Sequence, residues 1–296
     1  MSKYIPLEMT KVVDPEDDLH VKKDQLFDLP MRLAIIGKSL ISSKTTTLEH
    51  FFARPYNDDD TPGKQFYRKN FKPENMYIVC PTMDGKMKLL IEGLEIPSEN
   101  VMTEYNEDEL NRIVDEINER HHERVEKGEK PEHSVIIMDD VTHSGKLREK
   151  VYGVISRITC NMRHALISLV VTAQYYAHLP PVFRTNATGI IMFEVVGAGL
   201  DMLIDEHNKF EDKRTFRALF KNATSEPRKA FVINYTKPER YFDGNFMPLI
   251  MPTADEVASE LSSCSGSGST QCTGITKKGD PCKAKAKVGD KCGRHS

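Results

Sequence analysis

The chain contains no apolar run approaching the ~20 residues a membrane-spanning helix needs, so no such span is expected in its 296 residues. Its opening Met1-Ser2-Lys3-Tyr4-Ile5-Pro6 lacks the apolar region of a secretory signal, so a secreted protein is not expected. A disulfide framework is also missing. Of six cysteines, Cys80 and Cys160 stand in apolar surroundings and Cys264 in a Ser/Gly stretch, with Cys272, Cys282 and Cys292 in the tail. That distribution suits a reducing compartment. A net charge of −3 carries no general nucleic-acid signature, but it averages a mildly acidic body with a basic tail. No internal repeat is visible.

What is present starts at Leu33–Ile36, an apolar run that reads as a buried strand and ends in Gly37. Lys44-Thr45 follow seven residues later, and then a helical pattern from Thr46 to Phe52. Strand, turn and helix in this order are the context of a phosphate-binding loop, G-x-x-x-x-G-K-[ST]. The match departs from the pattern twice: Gly37 sits one residue early, with Lys38 at the first-glycine position, and Ser43 replaces the last glycine. Gly37, Lys38, Ser42, Ser43, Lys44, Thr45 and Thr46 are the candidate nucleotide-binding residues. Backbone N–H groups and the helix N-terminus would hold phosphate, Lys44 would reach the β- and γ-phosphates, and Thr45 would hold Mg²⁺. Ser43 in place of glycine is expected to cost about 1 kcal/mol if the turn needs a positive φ. An ordinary Ser/Thr-rich turn with an incidental Lys-Thr fits the same residues.

Val135–Met138 is a second apolar run that ends in two carboxylates, Asp139 and Asp140, 95 residues beyond Lys44 for the first of them. Asp139 would hold Mg²⁺, and Asp140 would orient or deprotonate the attacking water. A buried strand ending in an acidic turn is the plain alternative. Further strands are expected at 76–80, 166–171, 189–193 and 230–235, and helices at 107–126, 147–162 and 209–220. Strands alternating with helices imply βαβ units, a mostly parallel sheet, and ligands at the strands' carboxyl ends. Gln174 follows the 166–171 strand and would sense the γ-phosphate and attacking water, or simply cap the strand. Arg163 and Arg184 are candidates for a cation supplied to a neighbouring subunit's transition state; either could equally be an ion-paired surface residue.

In order, the degenerate P-loop, Cys80-Pro81-Thr82, Ile-Met-Asp139-Asp140, Arg163-His164, Gln174 and Pro181-x-x-Arg184-x-Asn186 resemble the genome-packaging ATPases of large DNA viruses and virophages. These form the poxvirus-type branch of the FtsK/HerA superfamily. The resemblance covers roughly residues 30–235. It implies a RecA-like α/β core, ATP and Mg²⁺ as cofactors, a ring-shaped homo-oligomer, and double-stranded DNA driven into a capsid. Capsid or portal-vertex proteins are implied partners, and the host cytoplasm, at the virus factory, and the virion are implied locations. The altered P-loop departs from the family's glycine-rich pattern.

Composition sets off an N-terminal extension (1–30), a flexible linker (254–270) and a small module (271–296) from residues 31–253, which the resemblance implies are an ATPase domain. In the module, Cys272, Cys282, Cys292 and His295, spaced C-x9-C-x9-C-x2-H, make a full tetrahedral Zn²⁺ set, although only the last pair is a tight chelate. Seven Lys/Arg against Asp280 and Asp290 give this segment a net +5, which suits salt-sensitive nucleic-acid contact. A disordered basic tail with chance cysteines is the alternative. Two further functions compete with the motor: a non-motor P-loop protein, and a zinc-dependent nucleic-acid binder with an inactive loop. A kinase lid would draw on Lys213, Arg214 and Arg217, but the neighbouring Glu211 and Asp212 make an ion-paired helix face the expectation.

Overall fold

The computed structural model describes residues 19–38, 43–53, 67–141 and 153–264. Strands β1 (Arg32–Ile36), β2 (Met76–Val79), β3 (Val101–Met102), β4 (Ser134–Met138), β5 (Ile167–Ala173), β6 (Gly189–Phe193), β7 (Ala230–Asn234) and β8 (Tyr241–Asp243) form one sheet in the order β3-β2-β4-β5-β1-β6-β7-β8. All neighbours from β3 to β6 are parallel; β7 and β8 are antiparallel additions at one edge. β1, β2, β4, β5, β6 and β7 are the six long apolar runs expected from the sequence. Short β3 and β8 carry too few residues to show a pattern.

The interior strands are buried on both faces, as parallel strands must be when helices cover each side. On one face, Leu33 and Ile35 of β1 pack with Ile78, Val135, Ile137, Val170 and Ile191 against Leu48, Phe51 and Phe52 of α1 (Lys44–Phe52). Met87, Leu90 and Leu94 of α2 (Gly85–Leu94) join the same cluster. α3 (Glu107–Glu126), α4 (Val154–Asn161) and α5 (Pro181–Asn186) pack side by side. α3 spans the expected residues and starts on Asn106, whose side chain accepts from Asp108 and Glu109 N–H, with three acids in the first turn. α6 (Ala198–His207), like α2, was not legible beforehand. α4 covers the described part of the helix expected at 147–162, and residues 147–152 of that expectation lie outside the described residues. Cys160, expected in apolar surroundings, is exposed, because α4 buries Val154, Ile155, Ile158 and Thr159 instead.

The chain divides into two compact units, Met1–Lys209 with Leu219–Ile250, and Phe210–Ala218 with Met251–Ser296. The first holds the sheet. In the second, Arg214 Nε pairs with Asp212 Oδ2 at 2.8 Å, the ion-paired face expected there. Of the stretch read as a linker, Ala254–Cys264 is a helix, α8. Its start is a capping box: Thr253 N donates to Glu256 Oε2 at 2.6 Å, and Glu256 N to Thr253 Oγ1 at 3.3 Å. α7 (Lys213–Ala223) is the helix expected at 209–220. Cys272, Cys282, Cys292 and His295 lie outside the described residues. No described helix is long and apolar enough to cross a membrane.

Candidate nucleotide site

Strand register alone brings the predicted residues together. Ile36 is level with Ala173 and Met138 with Val171, so Gly37, Asp139, Asp140 and Gln174 emerge at the same carboxyl edge of β1, β4 and β5. One strand, β5, separates the loop strand from the acidic strand. It contributes Thr172, fully buried, whose hydroxyl donates to Asp139 Oδ1 at 2.6 Å and accepts from Asp140 N–H at 3.1 Å. Asp140 takes a left-handed conformation (φ 54°), which aspartate tolerates better than most residues, and its Oδ2 accepts from Gln174 Nε2 at 3.1 Å. Successive carboxylates thus face different partners: Asp139 turns toward Thr172 and Cys80 (Sγ to Oδ2 3.8 Å), Asp140 toward Gln174. Thr172 was missed in the sequence. Its signal was a lone hydroxyl in the otherwise apolar Leu169–Ala173.

Lys44 opens α1 and is only 8% exposed; its Nζ donates to Gly37 O at 2.7 Å. Burial lowers its pKa, opposed by the charges of Asp140 and Asp139. Burial raises that of Asp139, and the charge of Asp140 adds to the rise, against Thr172's hydrogen bond and Lys44. The ammonium and carboxylates therefore share one desolvated edge, where a polyanion and a cation gain most from meeting them. The first turn of α1 has no acidic residue, and its leading N–H groups lack helical partners by construction.

Ser43 precedes the helix at φ −104°, ψ 39°. The strain expected of serine here is absent, because the turn does not need a positive φ at this position. Lys38 lines a cavity of about 150 Å³ with Phe193, Glu194 and Arg228. An adjoining one of about 220 Å³ is lined by Ser43, Thr46, His50, Phe51, Phe193 and Arg228. Thr45 is half-buried beside Lys44, and Ser42 lies outside the described residues. A larger cavity, about 340 Å³, lies away from this edge. Its charges satisfy one another, as with Glu132 held by Lys72 (2.7 Å) and Arg124 (3.2 Å).

The two candidate arginines differ. Arg184, on α5, is nearly buried and engaged. It makes contacts of 3.0–3.1 Å with Glu206, donates to Leu179 O at 2.9 Å, and lies over the Tyr176 ring at 5.5 Å. Arg163 is exposed in the turn before β5, and its side chain has no hydrogen bond or ion pair among the described residues. It neighbours Arg32 at the amino end of β1. Five residues of strand at ~3.3 Å each separate that end from the site, about 16 Å within one subunit.

The residues present fit Mg²⁺. Among the described residues no group of three or more His, Cys, Asp or Glu forms a cation cage. Magnesium is instead held by one or two carboxylates plus substrate phosphates, and Asp139 with Thr45 supplies hard oxygens of that kind.

Residues 96–241 match the family model described as Poxvirus A32 protein. No curated protein matches the sequence. Similar solved structures include the genome-packaging NTPase B204 from Sulfolobus turreted icosahedral virus 2 in complex with AMPPCP (14% identity over 71% of this chain and 95% of that one, TM-score 0.49). The DNA-packaging ATPase B204 from Sulfolobus turreted icosahedral virus is another (17%, 71% and 95%, TM-score 0.47). A third is the pCW3 conjugation coupling protein TcpA with ATPγS (12%, 80% and 65%, TM-score 0.49). The family match spans the residues that hold Asp139, Asp140, Arg163, Gln174 and Arg184, and it leaves out the degenerate P-loop and Cys80.

Proposed function

We propose that this chain is an ATP-hydrolysing motor that moves double-stranded DNA into a viral capsid. The observation that carries the reading is the convergence of Lys44, Asp139, Asp140 and Gln174 on one strand edge, within a chain whose residues 96–241 match the Poxvirus A32 family. The α1 N-terminus and Lys44 bind the phosphates. On binding, Lys44 Nζ exchanges the Gly37 carbonyl for phosphate oxygens. Asp139 and Thr45 hold Mg²⁺, which when bound neutralises charge on the β- and γ-phosphates. Asp140, kept in place by Thr172 and Gln174, orients the attacking water and accepts its proton; Gln174 senses whether the γ-phosphate is there.

The cation supplied across a ring is Arg163 in this reading. It lies too far from its own site to act there, and among the described residues no hydrogen bond or ion pair holds its side chain. Arg184 is taken up by Glu206. The Cys3His module binds one Zn²⁺ and lends affinity for DNA, and capsid or portal-vertex proteins seat the ring at the virus factory. ATP hydrolysis measured with and without double-stranded DNA tests the proposal: DNA-stimulated turnover is expected. A wild-type protein that binds nucleotide but never hydrolyses it would leave a non-motor nucleotide-binding protein.

A further inference from the structure

Behind Gln174 lies a polar cluster that phosphate chemistry does not use. Tyr176, two residues on and 1% exposed, places its hydroxyl 2.6 Å from Glu206 Oε2 and in hydrogen-bond contact with His207 Nε2. His207 Nδ1 meets Tyr235 OH at 2.5 Å. Glu206 also takes the Arg184 guanidinium, which in turn holds Leu179 O. One carboxylate at the end of α6 therefore grips both ends of the segment 176–184, which begins two residues after Gln174.

The direction of the hydrogen bonds follows from Glu206. An ionised carboxylate only accepts, so Tyr176 O–H must donate to it. The Tyr176 oxygen then accepts from His207 Nε2–H, which leaves Nδ1 bare to accept from Tyr235 O–H. The hydrogen bonds from Tyr235 through His207 and Tyr176 then all run toward Glu206, and such a network holds a single arrangement. The other end of α6 follows Glu194–Val196, which flank Lys38. One helix thus runs from beside the phosphate loop to the segment carrying the γ-phosphate sensor.

We infer that Glu206 is a positioning residue: through Tyr176 and Arg184 it fixes the segment that sets Gln174 against Asp140. The inference rests on the function proposed above only for its kinetic consequence. The test compares full-length wild type, Glu206→Gln and Tyr176→Phe. Glu206→Gln keeps an acceptor but adds a donor and removes the charge, so the network loses its direction. Amide exchange by mass spectrometry should rise about tenfold in peptides covering 174–184, with α1 and β4 unchanged. The kcat for ATP should fall about 10- to 100-fold with KM within about twofold, since a small misplacement acts on the transition state. Tyr176→Phe should show the same signs more weakly, and it serves if Glu206→Gln does not fold. Nitrogen-15 spectra of wild-type imidazoles should show His207 as the Nε2–H tautomer.

Unchanged exchange in 174–184 overturns the inference. So does a raised kcat in Glu206→Gln, because Glu206 would then be restraining Arg184 rather than placing Gln174. A wild type that hydrolyses no nucleotide overturns the proposed function alone, and the exchange result still decides whether Glu206 holds the segment.

Discussion

The two ends of the central strands carry charge in opposite kinds of surroundings. At the carboxyl edge Lys44 and Asp139 are more than 90% buried and hydrogen-bonded to Gly37 and Thr172. At the amino edge Arg163, Cys160 and His164 are exposed, and only Arg32 is drawn inward, its Nε on Thr159 O at 2.7 Å. Desolvated, preorganised groups are what chemistry needs, because they do not reorganise when charge develops. A solvated cation does little for its own fold and is available to another molecule. The proposed function thus puts the reacting nucleotide and the trans cation at opposite ends of the sheet.

The sharpest way to break this comparison is at the buried edge. Lys44→Ala or Asp139→Ala should reduce ATP hydrolysis by about 10³-fold or more, since each removes a charge aimed at the transferred phosphoryl group. The folded state should persist, as judged by circular dichroism and melting. A wild-type rate in either variant would place the chemistry elsewhere. Next comes the exposed edge. Arg163→Ala should keep nucleotide affinity and melting temperature but lose turnover, by up to about 10³-fold for a cation supplied in trans. Mixing it with Lys44→Ala protein should recover part of the rate, because some interfaces then pair an intact loop with an intact arginine. Arg184→Ala should instead cost stability, about 1–3 kcal/mol, by leaving Glu206 without its partner in a mostly buried site. Denaturant melts separate the two cases, and equal stability losses would erase the distinction drawn here.

A third prediction concerns pH. Burial pushes His133 and His207 down to about 4 from the ordinary 6.5. His133 Nε2 contacts Leu19 O at 3.0 Å, so Nε2 carries the proton and Nδ1 is bare. Between pH 6.5 and about 4 the unfolded chain binds protons at these positions that the folded chain refuses. Their contribution to stability is therefore full above about 6.5 and lost as pH falls to about 4. His133→Gln should flatten that slope in melts taken from pH 7 to pH 4.5; an unchanged slope would mean that His133 is protonated when folded.

Smaller effects are expected outside the sheet. Truncation at Ser269 should spare basal hydrolysis while lowering DNA affinity most at low salt, where basic side chains release most counterion free energy. Elemental analysis should find one Zn²⁺ per full-length chain, and none if Cys272, Cys282, Cys292 and His295 are not ligands. Smallest of all, Ser43→Gly should leave turnover within about twofold, because at φ −104° there is no left-handed strain for glycine to relieve.

Local pattern was enough for the strands and for the edge of the candidate site, because both obey short-range rules. A continuous apolar run such as Val135–Met138 can be satisfied only between two covered faces, and polar residues directly after such runs must emerge at the sheet's carboxyl edge. Six strands, the 107–126 helix, and the common edge at which Asp139, Asp140 and Gln174 emerge were legible on that basis. Thr172 was not, because a threonine in a strand is ordinary until register sets it beside Asp139. Ser43's conformation, Cys160's exposure and the capping box at Thr253 were misread or missed where composition stood in for geometry. The contrast between Arg163 and Arg184 belongs wholly to tertiary structure. One lies in a turn and the other on the short helix α5, and only the return of α6 places Glu206, 22 residues away in sequence, against Arg184.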